Sequence, residues 1–591
     1  IAALAIRLVY LGEMSDSPTF RVPVVDAENY DTIARAIAFG GEINEKLFWQ
    51  GPLYPLFLAM VYKIGGGSII AAKVAQIVLG ALTCVLVLFI GARIFDRKAG
   101  VIAAAITALC GPLIFFEQEL LATGWAAFWS AALIFLILET DRRRSIGSYL
   151  TLGICAGLGT ITRATFLPFI IAAAIWLLVR INRRGRKTGG ITARGGDHTH
   201  GSSSTATRGG DRKHGWAAVA ARGGILALGF LVVAIPIAIL CHTETGQFSF
   251  LPQSGPINLY IGNNPDTDKT LMIRPGAEWR DLTRLPTVHG STGGASDRAF
   301  FMNRFWGYVK SSPGGYIAGL LGKTVQFLGS RELPRNVDIY IYRRYSRLLS
   351  ALAWKARGFG FPFGLILPFT LIGLYTYRRR IPLPLFLYAV LYPAAIIFVF
   401  VSARYRTPIV PVLAVPAAMG LRHFADSIRK GRLRPAAVMA GVVAAIAFFT
   451  SLPGPFATER YDYRAEMHCS VGFELSKRGD LDKAILHLNE ALRLRRDYGN
   501  AHKFLGLIRN RQRRPDEAVE HLERALAQNP DSYLIRYYLG ASLLNLGRTR
   551  EAIDHLERAL AGAETAREEE IAEQIRVLLR AKRGEKAPEM R

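Results

Sequence analysis

Residues 69–95 read IIAAKVAQIVLGALTCVLVLFIGARIF, an almost unbroken apolar run. A bilayer span needs ~20 such residues, within about 17–25, so this stretch is read as a transmembrane helix. Working outward, comparable runs occupy residues 99–116, 120–138, 146–162, 164–179, 223–241, 358–377, 381–401, 407–421 and 435–452. Residues 1–11 form an apolar stub with no initiator Met, read as the end of a span that begins upstream. The expected fold is all-α: a polytopic transmembrane helical bundle over residues 1–452, followed by a helical solenoid over 457–591.

Composition fits a membrane protein. Of 591 residues 51% are hydrophobic and 20% charged, with a formal net charge of +27 and a mean hydropathy of +0.22. From residue 457 onward 25 Lys and Arg stand against 23 Asp and Glu, which leaves +25 in the hydrophobic part. Basic charge between long apolar runs marks cytoplasmic loops rather than a nucleic-acid face. The five cysteines, none in a CxxC pair, exclude a disulfide scaffold and a zinc ribbon.

The basic loops are 93–98, 141–144, 180–213, 378–380 and 422–434. Placing all five inside puts residues 12–68, the turn at 117–119, the stretch 242–357, residues 402–406 and the whole C-terminal part outside. Residues 316–328 are moderately apolar and are read as an interfacial helix, because a crossing there would move 378–380 outside. Residues 181–215 have almost nothing to bury and read as a disordered linker. His198, His200 and His214 in it have no carboxylate or cysteine spacing around them and read as solvated.

In the C-terminal part Gly472, Gly506 and Gly540 recur every 34 residues. Ala484, Ala518 and Ala552 keep the period, as do Ala491, Ala525 and Ala559, with Leu488, Leu522 and Leu556 between. Small residues let two antiparallel helices approach, and leucines fill the groove between pairs. The pattern resembles the tetratricopeptide repeat, in three copies over about 465–498, 499–532 and 533–566. Residues 567–586 then form the capping helix a solenoid end requires. The resemblance implies a peptide or protein partner in a concave groove, a spacer being the bland alternative.

Ionisable residues gather at membrane edges on the predicted outer side. Asp26, Glu28 and Asp31 open a short surface helix over 32–39, where capping accounts for Asp26 alone. Glu117 and Glu119 fall in the turn between two spans, with interface solvation the bland reading. Arg163, Arg404 and Arg406 run against the positive-inside bias and call for an anionic ligand such as a phosphate. Asp26, Glu28, Glu117 and Glu119 are candidates for a divalent ion, although no spacing demands one.

Asp26-Ala27-Glu28-Asn29-Tyr30-Asp31 and Gly51-Pro52-Leu53-Tyr54-Pro55 resemble the first outer loop of C-class (GT-C) glycosyltransferases. So do Thr162-Arg163, Asn258-Leu259-Tyr260-Ile261-Gly262-Asn263-Asn264-Pro265 and Arg404-Tyr405-Arg406-Thr407-Pro408. The chain looks like the bacterial relatives of protein mannosyltransferases and aminoarabinose transferases that carry tetratricopeptide repeats. That resemblance implies an inner-membrane enzyme moving a sugar from a polyprenyl-phosphate donor to an extracytoplasmic protein hydroxyl, lipid or glycan. An acid of the first outer loop serves as base there, and Asp26 matches it, with Glu28 and Asp31 beside it. A carboxylate can take the hydroxyl proton as the oxygen attacks the anomeric carbon, and direct displacement inverts that centre. Arg163, Arg404 and Arg406 receive the donor phosphate. Tyr30, Asn258, Tyr260, Asn263 and Asn264 are candidates for the acceptor side, a structural loop being the equal alternative for residues 258–265. Protein mannosyltransferases carry an adjacent Asp-Glu pair here, whereas Ala27 separates Asp26 from Glu28, which sets the chain apart from O-mannosylation itself. A transporter or flippase places charges near mid-span and shows inverted repeats, and a scaffold needs one anchor, not ten.

Overall fold

A computed structural model describes residues 1–43, 45–192, 207–273, 277–456, 461–566 and 568–583. Six helices in it are long and apolar enough to cross a bilayer: Ile69–Ile94, Thr123–Arg143, Ala164–Asn182, Ala217–Thr245, Ala403–Arg429 and Leu433–Ser451. The pair Arg97–Ala108 and Gly111–Gln118, bent by 56°, makes a seventh if it is one broken span. Leu53–Gly65, Ile146–Thr162, Phe363–Thr376 and Leu383–Val399 are apolar but shorter. The ten runs read from sequence are therefore not ten full-length crossings. Ile70, Val74, Val78 and Phe89 on one helix, Leu228, Val232, Ile235 and Ile239 on another, and Phe448 and Phe449 on the last are exposed. Such outward apolar faces need lipid, and the chain is a multi-pass membrane protein.

Among the described residues the only strands are the ribbon Trp354–Ala356 and Phe359–Phe361. The helix Pro313–Leu328 exposes Ile317, Leu321 and Val325 and buries Lys323, Gln326 and Phe327. The segment read as a linker is helical at both ends, in Leu167–Thr192 and Thr207–Thr245. His198 and His200 lie outside the described residues, and His214 falls within the second of these helices.

The bundle has two unlike ends. At one, Arg422 bonds Asp96 at 2.5 Å, Arg180 meets Asp141 at 3.1 Å, and Arg93 pairs with Glu139, which gathers the basic loops. The Thr123–Arg143 helix runs from there to the other end, where Thr123 accepts a bond from Arg163 at 2.9 Å.

Beyond the last apolar helix come Arg464–Lys477, Leu481–Leu494, Gly499–Arg511, Pro515–Gln528, Tyr533–Asn545, Thr549–Thr565 and Glu569–Arg583. They pair as three helical hairpins and a closing helix. A Cβ on Gly506 would lie 2.6 Å from Cγ of Leu522, and the same holds at 2.7 Å for Gly472 with Leu488 and Gly540 with Leu556. The period thus marks the closest approach within each hairpin. The array docks on the Arg163 end of the bundle. Lys477 reaches Glu28 at 3.0 Å, Arg478 donates to the Arg21 carbonyl at 3.1 Å, and Arg284 grips Tyr533 and Glu568. Val24 belongs to the apolar cluster of the first repeats, with Cys469, Val471 and Leu488.

Candidate active site

Asp26 is the first residue of the helix Asp26–Ala38 and makes no cap bond, the N-cap position being Val25. Val25 sits at φ +57°, a region a β-branched residue enters only when its surroundings compel it. The carboxylate is free of capping and points elsewhere. It pairs with Arg404 and accepts from Gln50 at 3.2 Å and Asn336 at 3.1 Å. Burial alone would raise its pKa, but the Arg404 guanidinium outweighs that, helped by Asn336 and Arg335, and holds it below the usual carboxylate value.

Asp26 opens on a cavity of about 890 Å³ that Glu28, Tyr30, Arg163, Asn258 and Arg404 also line. Arg163 caps the C-terminal end of Ile146–Thr162. It donates to the Arg404 carbonyl at 3.0 Å and to Thr123 at 2.9 Å, and stacks on Tyr405 at 4.9 Å. Its partners are neutral: among the described residues no carboxylate meets it. Gly51 fits here because a Cβ would lie 2.3 Å from the Thr162 carbonyl oxygen, so the loop after Gln50 can abut the strand-like turn that carries Arg163. Tyr30 is buried edge-on against Tyr54, ring centroids 4.8 Å apart, and burial followed by the nearby Asp26 charge pushes its hydroxyl pKa up.

The remaining flagged residues lie apart from this cavity. Asp31 takes Arg35 at 2.9 Å and the Tyr62 hydroxyl at 2.5 Å, tying its helix to Leu53–Gly65. Arg406 is buried against Glu332 at 3.0 Å and donates to the carbonyls of Phe327, Gly329 and Arg331. Glu117 is buried against Arg7 at 2.5 Å, and Glu119 is buried where Lys73 donates to the Gln118 carbonyl at 2.8 Å. Solvation of the 117–119 turn is thus overturned. The signal was present in sequence, since Arg7 and Lys73 sit inside apolar runs and must find partners. Asn263 bonds the carbonyls of Leu259 and Phe398 and accepts from Lys323 at 2.7 Å. Asn264 closes its own turn through Tyr260 and Thr270, while Tyr260 packs on Phe301. Among the described residues no three of His, Cys, Asp and Glu come together to hold a metal ion.

Other walls of the cavity were not anticipated. Trp49, Gln50, Trp279, Arg280, Arg335 and Asn336 come from the loops, and Phe473, Lys477, Tyr498, Lys503, Phe504 and Tyr538 from the repeats. Gln50 and Asn336 carry no sequence signal. Residues 470, 504 and 538 of this wall sit one period apart on the first helix of each hairpin, which periodicity alone marks as the concave face.

Residues 50–192 match the family model described as dolichyl-phosphate-mannose-protein mannosyltransferase. Residues 474–521 and 505–567 match that of the tetratricopeptide repeat. The first match includes Gly51 and Arg163 but neither Asp26 nor Arg404. Among solved structures the chain is similar to the archaeal oligosaccharyltransferase AglB from Archaeoglobus fulgidus in complex with an inhibitory peptide and a dolichol-phosphate. Identity there is 14% and TM-score 0.37, over 79% of this chain and 57% of that one. The apo form of the Archaeoglobus fulgidus oligosaccharyltransferase gives 14% and 0.36 over the same shares. The chain thus spans little more than half the length of these structures. No curated protein matches. The chain resembles GT-C membrane glycosyltransferases and carries C-terminal tetratricopeptide repeats, as the sequence motifs imply.

Proposed function

We propose that this GT-C-type membrane glycosyltransferase moves a sugar from a polyprenyl-phosphate donor to an extracytoplasmic acceptor, inverting the anomeric centre. One observation carries the reading: Asp26, tied to Arg404, shares a cavity with Arg163, a cation that no carboxylate neutralises among the described residues. The acceptor hydroxyl oxygen attacks the anomeric carbon, its proton passes to Asp26, and the bond from that carbon to the phosphate oxygen breaks. Polyprenyl phosphate leaves with the electron pair, and Arg163 takes up the charge. Arg404 is shared: as phosphate draws its guanidinium, the Asp26 carboxylate is released to accept the proton. Without phosphate the same pairing keeps Asp26 ionised and quiet. Its low pKa makes it a weak base, so activation by the donor is part of the scheme.

The basic loops gather at the opposite end of the bundle from this cavity. The positive-inside bias therefore supports an orientation with the cavity and repeats outside the cytoplasm, in what the family resemblance makes a bacterial inner membrane. The decisive test supplies membranes containing the protein with radiolabelled polyprenyl-phosphate sugars and follows label into protein, lipid and glycan fractions. Label that moves with the wild type and not with Asp26→Asn supports the reading. Label that moves equally with both removes Asp26 from the chemistry.

A further inference from the structure

The cavity has a second cationic locus, well separated in the chain from Asp26, Arg163 and Arg404. Lys503 on the Gly499–Arg511 helix is only 5% exposed and lines the cavity. Its ammonium donates to Asn500 at 3.3 Å and lies 4.4 Å over the Phe504 ring, with no carboxylate partner among the described residues. Arg280 lines the same wall and, among the described residues, forms no side-chain hydrogen bond or ion pair, the one carboxylate acting on it being Asp281. Asp281, next to it in sequence, is exposed. Burial and the Arg280 charge lower the Lys503 pKa to about 8. The other basic residue that the repeats bring to the cavity is neutralised, for Lys477 meets Glu28 and Glu474 at 3.0 and 2.9 Å. A buried cation without a counter-ion costs several kcal/mol unless an anion completes it. The donor phosphate serves Arg163, so this locus calls for a second anion.

Around it the three hairpins present apolar side chains at equivalent positions: Phe473 and Leu507, Phe504 and Tyr538, and Leu534 one period after Asn500. Neighbouring helices lie about 8–10 Å apart, a spacing that an extended chain in the polyproline-II form, three residues per turn at about 3.1 Å each, meets with every third side chain on one face. A glycan has no such side chains to place there. Side chains of the concave face line the same cavity as Asp26, so whatever lies along it shares that chamber.

We propose that this half of the cavity binds the acceptor as an extended peptide, with Lys503 and Arg280 holding the carboxylate of an acidic residue near the modified hydroxyl. The proposal rests on the transferase reading above but is tested without any donor, so its failure is separate from failure of the chemistry. The full chain in nanodiscs is panned against an immobilised hexapeptide library with one fixed serine. Aspartate or glutamate should be enriched about 10-fold over asparagine or glutamine at one position, the size of one charge-assisted bond. Enrichment should vanish in Lys503→Gln with Arg280→Gln and survive in Lys503→Arg, with melting curves reporting that each variant is folded. Arg280→Gln alone, on the loop wall, should reduce it and guards against a repeat that fails to fold. No acidic enrichment, or enrichment that persists in the double variant, overturns the proposal. So does a glucuronate oligosaccharide that binds in a Lys503-dependent way while no peptide is enriched.

Discussion

A carboxylate held by Arg404, Asn336 and Gln50 is a group whose ionisation the protein controls from outside the residue itself. Burial raises the Asp26 pKa and Arg404 brings it down past its usual value. Removing the guanidinium in Arg404→Gln takes away the strongest counterweight to burial and leaves only the weaker help of Asn336 and Arg335, so the pKa must rise. The acid limb of the kcat/KM profile, below the usual carboxylate range in the wild type, should move to higher pH in Arg404→Gln; an unmoved limb would detach Asp26 from proton transfer. Arg163→Lys keeps charge but loses the fork that bonds Thr123 and the Arg404 carbonyl together. It should raise KM for the lipid donor by about 10-fold, as loss of one charge-assisted bond does. Arginines, acids and asparagines at the membrane edge were all visible in sequence, but only some face the cavity. Arg406, Asp31, Glu117 and Asn263 are the same residue types, and what removes them is a partner: Glu332, Tyr62, Arg7, Lys323. Most of those partners lie far away in the chain, where no local pattern reports them.

Helices that repeat were read closely because the period is a packing constraint. Glycine at 506 is set by Leu522 across the hairpin, and a Cβ 2.6 Å from its Cγ cannot be accommodated without movement. Gly506→Ala should therefore destabilise the array by about 1–3 kcal/mol, the cost of overpacking, whereas Gly441→Ala, with open space around it, should be neutral; thermal melts of the two variants decide it. The hairpins also stack histidines one period apart. Nδ1 of His468 lies 2.9 Å from that of His487, and Nδ1 of His502 lies 3.0 Å from that of His521. Each contact needs one ring nitrogen bare, so at least one ring of each pair is neutral. Burial and the partner ring lower His468 and His521 to about 4, below the unfolded value near 6.5. The unfolded chain takes up protons first, so this stability is complete above about pH 6.5 and is lost as pH falls toward 4. Hydrogen-exchange protection of the Arg464–Lys477 and Pro515–Gln528 helices, relative to the intrinsic rate at each pH, should fall across that window, and less so in His468→Gln with His521→Gln. The membrane helices were less legible. Phe363–Thr376 and Leu383–Val399 are apolar throughout, yet their 14 and 17 residues rise about 21 and 26 Å, short of a ~30 Å core. Hydropathy reports what a helix avoids, not whether lipid or a neighbouring helix covers it.

At the scale of the molecule the repeats are a wall of the cavity that holds Asp26. The sequence placed them near the outer loops by counting crossings, and the count included helices too short to cross. Contact now supplies what parity could not: Lys477 on Glu28 and Arg284 on Glu568 set the array on the Asp26 end, whatever the number of spans. The basic loops lie at the other end, so the two ends must face opposite compartments. Leu486, exposed on the second repeat helix, and Arg379, exposed between two apolar helices, sample them separately. Four of the five native cysteines are buried, leaving Cys155 intermediate, so replacing it with serine gives a quiet background. In intact cells an impermeant maleimide should label Leu486→Cys and leave Arg379→Cys untouched until lysis. The reverse pattern would put the cavity in the cytoplasm and remove the extracytoplasmic acceptor. Equal labelling of both would mean the array does not dock. Docking has a second consequence, for deleting residues 457–591 takes away Phe473, Lys503, Phe504 and Tyr538 while keeping Asp26, Arg163 and Arg404. Transfer to the natural acceptor should then fall more steeply than transfer to a small hydroxyl analogue that never reached the repeats. A uniform loss would instead show that the array holds the helix Asp26–Ala38 in place through Glu28, and Lys477→Gln in the full chain separates those two roles by breaking that bridge alone.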